Sequence, residues 1–182
     1  MIAGVAKRIP LIAPPGFDTR PTSDMAKEGL FNILADRLPD AGFLDLYAGS
    51  GAVGIEALSR GAKHAVFVEK SRTAIETLKT NLARTRLVSK AELFLSDSIE
   101  AVRKLGDSKT TFDIIFLDPP YSDGLLLPTL ENLSKSSILA EGGLIIAESE
   151  SKQIDNIPSS LYLTDTRKYG RAFFIFLKQV VC

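Results

Sequence analysis

The chain has 182 residues, 45% hydrophobic and 24% charged, with 22 basic residues balanced by 22 acidic ones. That suits one folded unit with a substantial core, and the zero net charge excludes a strongly basic nucleic-acid binder. A single histidine, His64, and a single cysteine, Cys182, exclude a His-rich metal site, a thiolate cluster and an intrachain disulfide, so any chemistry here is expected to proceed without an imidazole base, and no metal is expected.

The first twenty or so residues carry Pro10, Pro14, Pro15, Gly16 and Pro21 and read as short extended pieces. Thr22 is placed to cap a helix whose buried stripe is Ala26, Leu30, Ile33, Leu34 and Leu38. From Gly42 onward strands and helices alternate. Strands are expected at Phe43–Tyr47, Ala65–Glu69, Ala91–Ser96, Phe112–Leu117 and Leu144–Glu148, with helices at Ala52–Arg60, Thr73–Arg84, Ser98–Leu105 and Leu125–Leu133. Alternation of that kind, with nearly all-apolar strands, implies an α/β fold with a mostly parallel sheet covered on both faces. The tail differs: Leu161–Tyr169 and Ala172–Lys178 are separated only by Gly170-Arg171, which forces an antiparallel hairpin. A mostly parallel, Rossmann-like seven-stranded sheet ending in such a hairpin resembles the class I methyltransferase plan. The apolar runs are strand-sized and no secretory leader is visible, so a cytoplasmic protein with no membrane partner is expected.

Four features carry chemistry. Asp45-Leu46-Tyr47-Ala48-Gly49-Ser50-Gly51-Ala52-Val53-Gly54 follows a strand and opens a helix, and its glycines satisfy G-x-G-x-x-G. Glu69 ends the next strand, where a carboxylate can accept from both hydroxyls of an adenosine ribose. These two features fit a nicotinamide cofactor and S-adenosylmethionine equally well. Asp97 can accept from an adenine amino group while the Ser98 N–H faces a ring nitrogen, or Asp97 can cap the following helix, or both.

The fourth feature is Asp118-Pro119-Pro120-Tyr121, directly after the fourth strand. Two prolines remove two N–H donors and restrict the backbone, so that carbonyls point outward as acceptors. Asp118 adds a charged acceptor, and Tyr121 a flat ring for stacking. A conjugated amino group is a poor nucleophile. Acceptors aimed at its hydrogens favour the pyramidal form and stabilise the positive charge that develops on nitrogen, by about 3–4 kcal/mol per well-placed group. Hydride transfer has no use for such an array, so these residues point to S-adenosylmethionine and nitrogen methylation.

The sequence is similar to the bacterial RsmD family, which methylates guanine N2 in small-subunit (16S) ribosomal RNA. The resemblance rests on Arg20-Pro21-Thr22-Ser23-Asp24 with Lys27-Glu28-Gly29-Leu30-Phe31-Asn32-Ile33-Leu34, on the glycine loop and Gly54–Ala62, on Val68-Glu69-Lys70, and on Asp118-Pro119-Pro120-Tyr121. Ala3-Gly4, Lys7-Arg8 and Met25 depart from the usual pattern. The resemblance implies that Ala48, Gly49, Ser50 and Gly51 hold the methionine end of the cofactor, with Asp45 supporting the loop. Glu69 and Lys70 would then hold the ribose, and Asp97 and Ser98 the adenine. It also implies one domain, with residues 1–38 as an RNA-facing extension and 42–182 as the catalytic core, acting as a monomer on 16S rRNA, free or within the small subunit.

Substrate contacts are expected at Arg20, Thr22, Asp24, Arg167, Lys168 and Arg171. Arg20 can pair with the cofactor carboxylate or an RNA phosphate, or brace the helix; Asp24 can face substrate or serve as an anion in a first helical turn. Two alternatives stay open, an adenine-N6 methyltransferase and a non-catalytic ribosome-assembly factor on the same fold.

Overall fold

A computed structural model describes residues 1–15, 24–120 and 124–180. Five helices, α1 (Asp24–Ile33), α2 (Ala52–Ser59), α3 (Arg72–Thr85), α4 (Ser98–Asp107) and α5 (Leu126–Lys135), accompany seven strands. The strands are β1 (Gly42–Asp45), β2 (His64–Glu69), β3 (Ala91–Leu95), β4 (Phe112–Leu117), β5 (Leu139–Ser149), β6 (Leu161–Tyr169) and β7 (Ala172–Gln179). They form one sheet in the order β3-β2-β1-β4-β5-β7-β6. The first five are parallel, and β7 runs antiparallel to both β5 and β6.

Side-chain alternation along the strands sorts the core into two layers. Phe43, Phe67, Ile114, Phe116 and Ile146 face one side, where they meet Leu30 and Phe31 of α1, Ile55 of α2 and Leu78 of α3. Leu44, Val66, Ile115 and Ile145 face the other, against Val102 of α4 and Leu130 of α5. Each fully buried Phe or Leu contributes roughly 1.5–3 kcal/mol, so these two layers carry the stability of the fold.

One strip of the first layer is made by the N-terminal residues. Helix α2 is buried over nearly its whole circumference, including Glu56 at 0% exposure. The Glu56 carboxylate accepts from the N–H groups of Ile2 and Ala3 and pairs with Arg60 Nε at 2.7 Å. Ser59 Oγ accepts from Ala6 N–H and donates to Ala3 O. The N-terminal segment is thus a strap across α2, and it supplies the polar partners that a buried carboxylate and hydroxyl require.

The expected elements agree with the structure within a few residues, with two differences. Helix α1 ends at Ile33, whose side chain is 39% exposed, while Leu34 and Leu38 fill the core from the turn that follows. Ala26, Leu30 and Leu34 form the i, i+4 row on the inner face, which Ile33 misses. Strand β5 begins five residues early, at Leu139, which pairs with Phe112 across a register shift that takes up the Gly142-Gly143 kink. The expected cap at Thr22 lies outside the described residues.

Candidate functional site

Asp45, Glu69, Asp118 and Glu148 stand at or just beyond the carboxyl ends of β1, β2, β4 and β5, which is the ligand-binding edge of an open α/β sheet. Because β7 is antiparallel, the hairpin turn between Tyr169 and Ala172 lies at the same edge, beside Ser149.

The glycine loop is built for close approach. Gly49 and Gly51 have φ of +52° and +80°, the left-handed region that a side chain resists. The space where a Gly49 Cβ would stand is open, so a ligand can approach the backbone there. A Cβ on Gly54 would instead lie 2.3 Å from the Phe67 ring, so this third glycine serves helix–sheet packing. Asp45 is almost fully buried, and its Oδ2 accepts from Gly54 N–H at 3.1 Å, which ties the start of α2 to the end of β1. Burial raises its pKa to about 7; the Gly54 and Tyr47 N–H groups oppose that rise, and the charge of Glu69 adds to it.

Glu69 uses both carboxylate oxygens. Oε2 accepts from Gly49 N–H at 2.9 Å and Oε1 from Ser71 N–H at 2.8 Å. Each oxygen retains a lone pair, so the carboxylate is held by backbone and can still accept from a ligand. Lys70, next to it, is exposed. Asp97 caps α4, accepting from Glu100 N–H at 2.9 Å, and is exposed, so the cap leaves its other oxygen facing outward. Ser98 is buried, and its Oγ lies 2.7 Å from Tyr47 Oη, which in turn lies 2.7 Å from Thr129 Oγ1. Thr129 donates to Leu125 O, so the hydroxyls form a chain from the start of α4 to the start of α5.

Asp118 is half-buried, Pro119 buried and Pro120 exposed. Burial pushes the Asp118 pKa well up, and the charges of Glu148 and Asp45 push it further. Beside the prolines lies a cleft of about 220 Å³, lined by Pro119, Pro120, Leu125, Glu148, Ser149 and neighbouring residues. Its walls mix apolar carbons with carboxylates, which suits a planar, hydrogen-rich group better than an anion. Among the described residues no cluster of His, Cys, Asp or Glu could hold a metal ion.

Arg167, Lys168 and Arg171 are exposed and gathered at the hairpin end, although Arg167 Nε is held by Asp165 at 2.7 Å and Lys168 Nζ lies 5.3 Å from the Phe173 ring centre. Asp24, in the first turn of α1, pairs with Lys27 at 2.9 Å, which holds its carboxyl below the usual range. Helix α1 packs on the hairpin end so closely that a Cβ on Gly29 would come 2.1 Å from the Tyr169 ring. Asp24 and the basic hairpin residues, far apart in sequence, therefore belong to neighbouring elements. Arg20, Thr22 and Tyr121 lie outside the described residues.

Sequence reasoning gave no site role to Glu148 or Asn81 and did not reach the Tyr47–Ser98–Thr129 chain. The signal for Glu148 was an acid inside an apolar strand at the ligand edge. For Asn81 it was an amide on the buried Ala74–Leu78–Leu82 face of α3.

Residues 1–178 match the family model described as "Conserved hypothetical protein 95". The chain is 37% identical over 171 residues to the "Putative rRNA methyltransferase YlbH" of Bacillus subtilis (strain 168), covering 93% of each chain. It is 36% identical to the "Ribosomal RNA small subunit methyltransferase D" of Escherichia coli (strain K12), covering 92% of this chain and 82% of that protein. Among solved structures, the "Putative methyltransferase yhhF from Escherichia coli" superposes with a TM-score of 0.87 at 32% identity, covering 100% of this chain and 97% of that one.

Proposed function

The chain belongs to the RsmD family, whose model bears the description conserved hypothetical protein 95, and from that premise we propose that it uses S-adenosylmethionine to methylate the N2 amino group of a guanine in 16S ribosomal RNA. The observation that carries the chemistry is Asp118-Pro119-Pro120 directly after β4, between the cleft and the end of β1. The observation that narrows the target is likeness over most of the chain to proteins named for ribosomal RNA methylation.

The residues at the sheet edge fit the cofactor. Ala48, Gly49, Ser50 and Gly51 would hold its methionine end, with Asp45 bracing the loop; Glu69 and Lys70 would hold the ribose, and Asp97 and Ser98 the adenine. When bound, the cofactor supplies an electrophilic methyl group on a sulfonium. The base must leave its stack to reach the cleft. Asp118 and the Pro119 carbonyl then accept the two amino hydrogens, and Tyr121 stacks on the purine.

A carboxylate crowded by Glu148 and Asp45 gains most where positive charge appears, so Asp118 binds the transition state better than the neutral amine. Methylation would leave the nitrogen cationic. Its proton then passes to Asp118, whose raised pKa suits it to accept. Arg167, Lys168 and Arg171, with Arg20, Thr22 and Asp24, would face the RNA. The protein would act as a single-domain monomer in the cytoplasm, on 16S rRNA alone or in the small subunit.

The test is transfer from tritiated S-adenosylmethionine to small subunits, naked 16S rRNA and duplex DNA, followed by nucleoside digestion. Label in N2-methylguanosine from rRNA or subunits is expected. Label in N6-methyladenosine would assign the other chemistry, and no transfer from a cofactor-bound protein would point to an assembly factor.

A further inference from the structure

Asn81 sits in the penultimate turn of α3 with no solvent exposure, and its carboxamide joins two segments far apart in sequence. Its Oδ1 accepts from Ile12 N–H at 2.8 Å, and its Nδ2 donates to Ile12 O at 2.9 Å. The side chain thus pairs with both main-chain groups of Ile12, as a neighbouring strand would. Nδ2 donates a second bond, also 2.9 Å, to the carbonyl of Ser50 in the glycine loop. A primary amide supplies one acceptor and two donors in one plane, and all three are used. An aspartate, serine or aliphatic residue cannot reproduce the set.

The Ser50 bond matters because of where it acts. The peptide joining Ser50 to Gly51 is gripped at both ends: its carbonyl by Asn81 and its N–H by the Ala48 carbonyl at 2.7 Å. Gly51 is the residue from which α2 starts, in the left-handed conformation and with no side-chain cap. Asn81 donates to the carbonyl ahead of the helix, so it fixes the peptide plane from which α2 starts without capping the helix N–H groups. The strap is held at its other end by Glu56 and Ser59, so Asn81 completes a connection running from the N-terminus over α2 to the cofactor loop.

We infer that Asn81 is a positioning residue that locks the N-terminal strap to the Ser50–Gly51 peptide, so that docking of the strap and affinity for S-adenosylmethionine are one coupled property. This rests on the assignment of the glycine loop to the cofactor made above.

The connection can be cut from either side. Asn81→Ala removes the amide. Ile12→Pro removes the N–H it accepts from while leaving the core alone, because the Ile12 side chain is 41% exposed. Calorimetric titration with S-adenosylmethionine on variants that unfold well above the assay temperature should show each weakening binding about tenfold. The double variant should be no weaker than the worse single one, and kcat at saturating cofactor should stay within twofold of wild type. Binding within twofold of wild type in folded Asn81→Ala, or additive losses in the double variant, would overturn the coupling. If Asn81→Ala fails to fold, Ile12→Pro decides alone: tenfold weaker binding sustains the coupling and unchanged binding overturns it. Glu69→Gln separates this from the loop assignment, because unchanged cofactor binding in that variant would sink the assignment itself.

Discussion

The two halves of the sheet treat charge in opposite ways. Around β1, β2 and α2, the buried carboxylates accept from backbone: Glu69 from Gly49 and Ser71, Asp45 from Gly54, and Glu56 from Ile2 and Ala3. Around β4 and β5, burial hinders the ionisation of Asp118, and the nearby charges of Glu148 and Asp45 hinder it further. The first half is preorganised, with its polar groups aimed before any ligand arrives and little left to reorient on binding. In the second half burial, with the charges of Glu148 and Asp45 added, holds the Asp118 pKa up, so a cation formed beside it would be favoured. A methyl-transfer site uses both: rigid donors and acceptors for a cofactor, and excess negative charge where a nitrogen turns cationic.

Removing the repelled charge tests that contrast most severely. Asp118→Ala should retain S-adenosylmethionine affinity by calorimetry while single-turnover methyl transfer falls by about 10²–10³-fold. Transfer at near wild-type rate would mean that the acceptor array does not drive the chemistry.

Asp45 stands between the two halves, and its effect is on stability. Its folded pKa of about 7 lies above its ordinary value of 3.8. The native state therefore binds a proton more tightly than the unfolded chain between those values. That contribution is complete below about pH 4 and is lost as pH rises through about 7. Asp45→Asn should flatten this dependence, and denaturant titrations at pH 5 and pH 8 should differ by roughly 2–4 kcal/mol less in the variant than in wild type. An unchanged pH slope would mean that Asp45 is not the group responsible.

Glu148 offers the finest adjustment. Its charge adds to the rise of the Asp118 pKa that burial causes, so Glu148→Gln should lower that pKa and move the acidic limb of the kcat/KM profile toward lower pH. A limb that stays in place would show that burial and Asp45 set Asp118 without Glu148, and would weaken the contrast between the halves.

The sequence alone determined the sheet-forming pattern and the backbone chemistry of the loops. Apolar runs broken by helical periods dictated a covered parallel sheet, and a two-residue link dictated the hairpin, because both follow from local geometry. Gly49, Gly51, Glu69 and Asp118 were legible as a candidate site because strand ends are where such a sheet binds ligands. Tertiary structure decided what local rules cannot reach. It set β7, with its buried Phe174–Leu177 run, between β5 and the more polar β6, which brings the basic hairpin end to the ligand edge. It placed Glu148 beside Asp118, and it passed the strap over α2 so that Asn81 meets Ile12 and Ser50, 69 and 31 residues away along the chain. Those pairings depend on which face of which element closes on which, and sequence spacing carries no record of that closure.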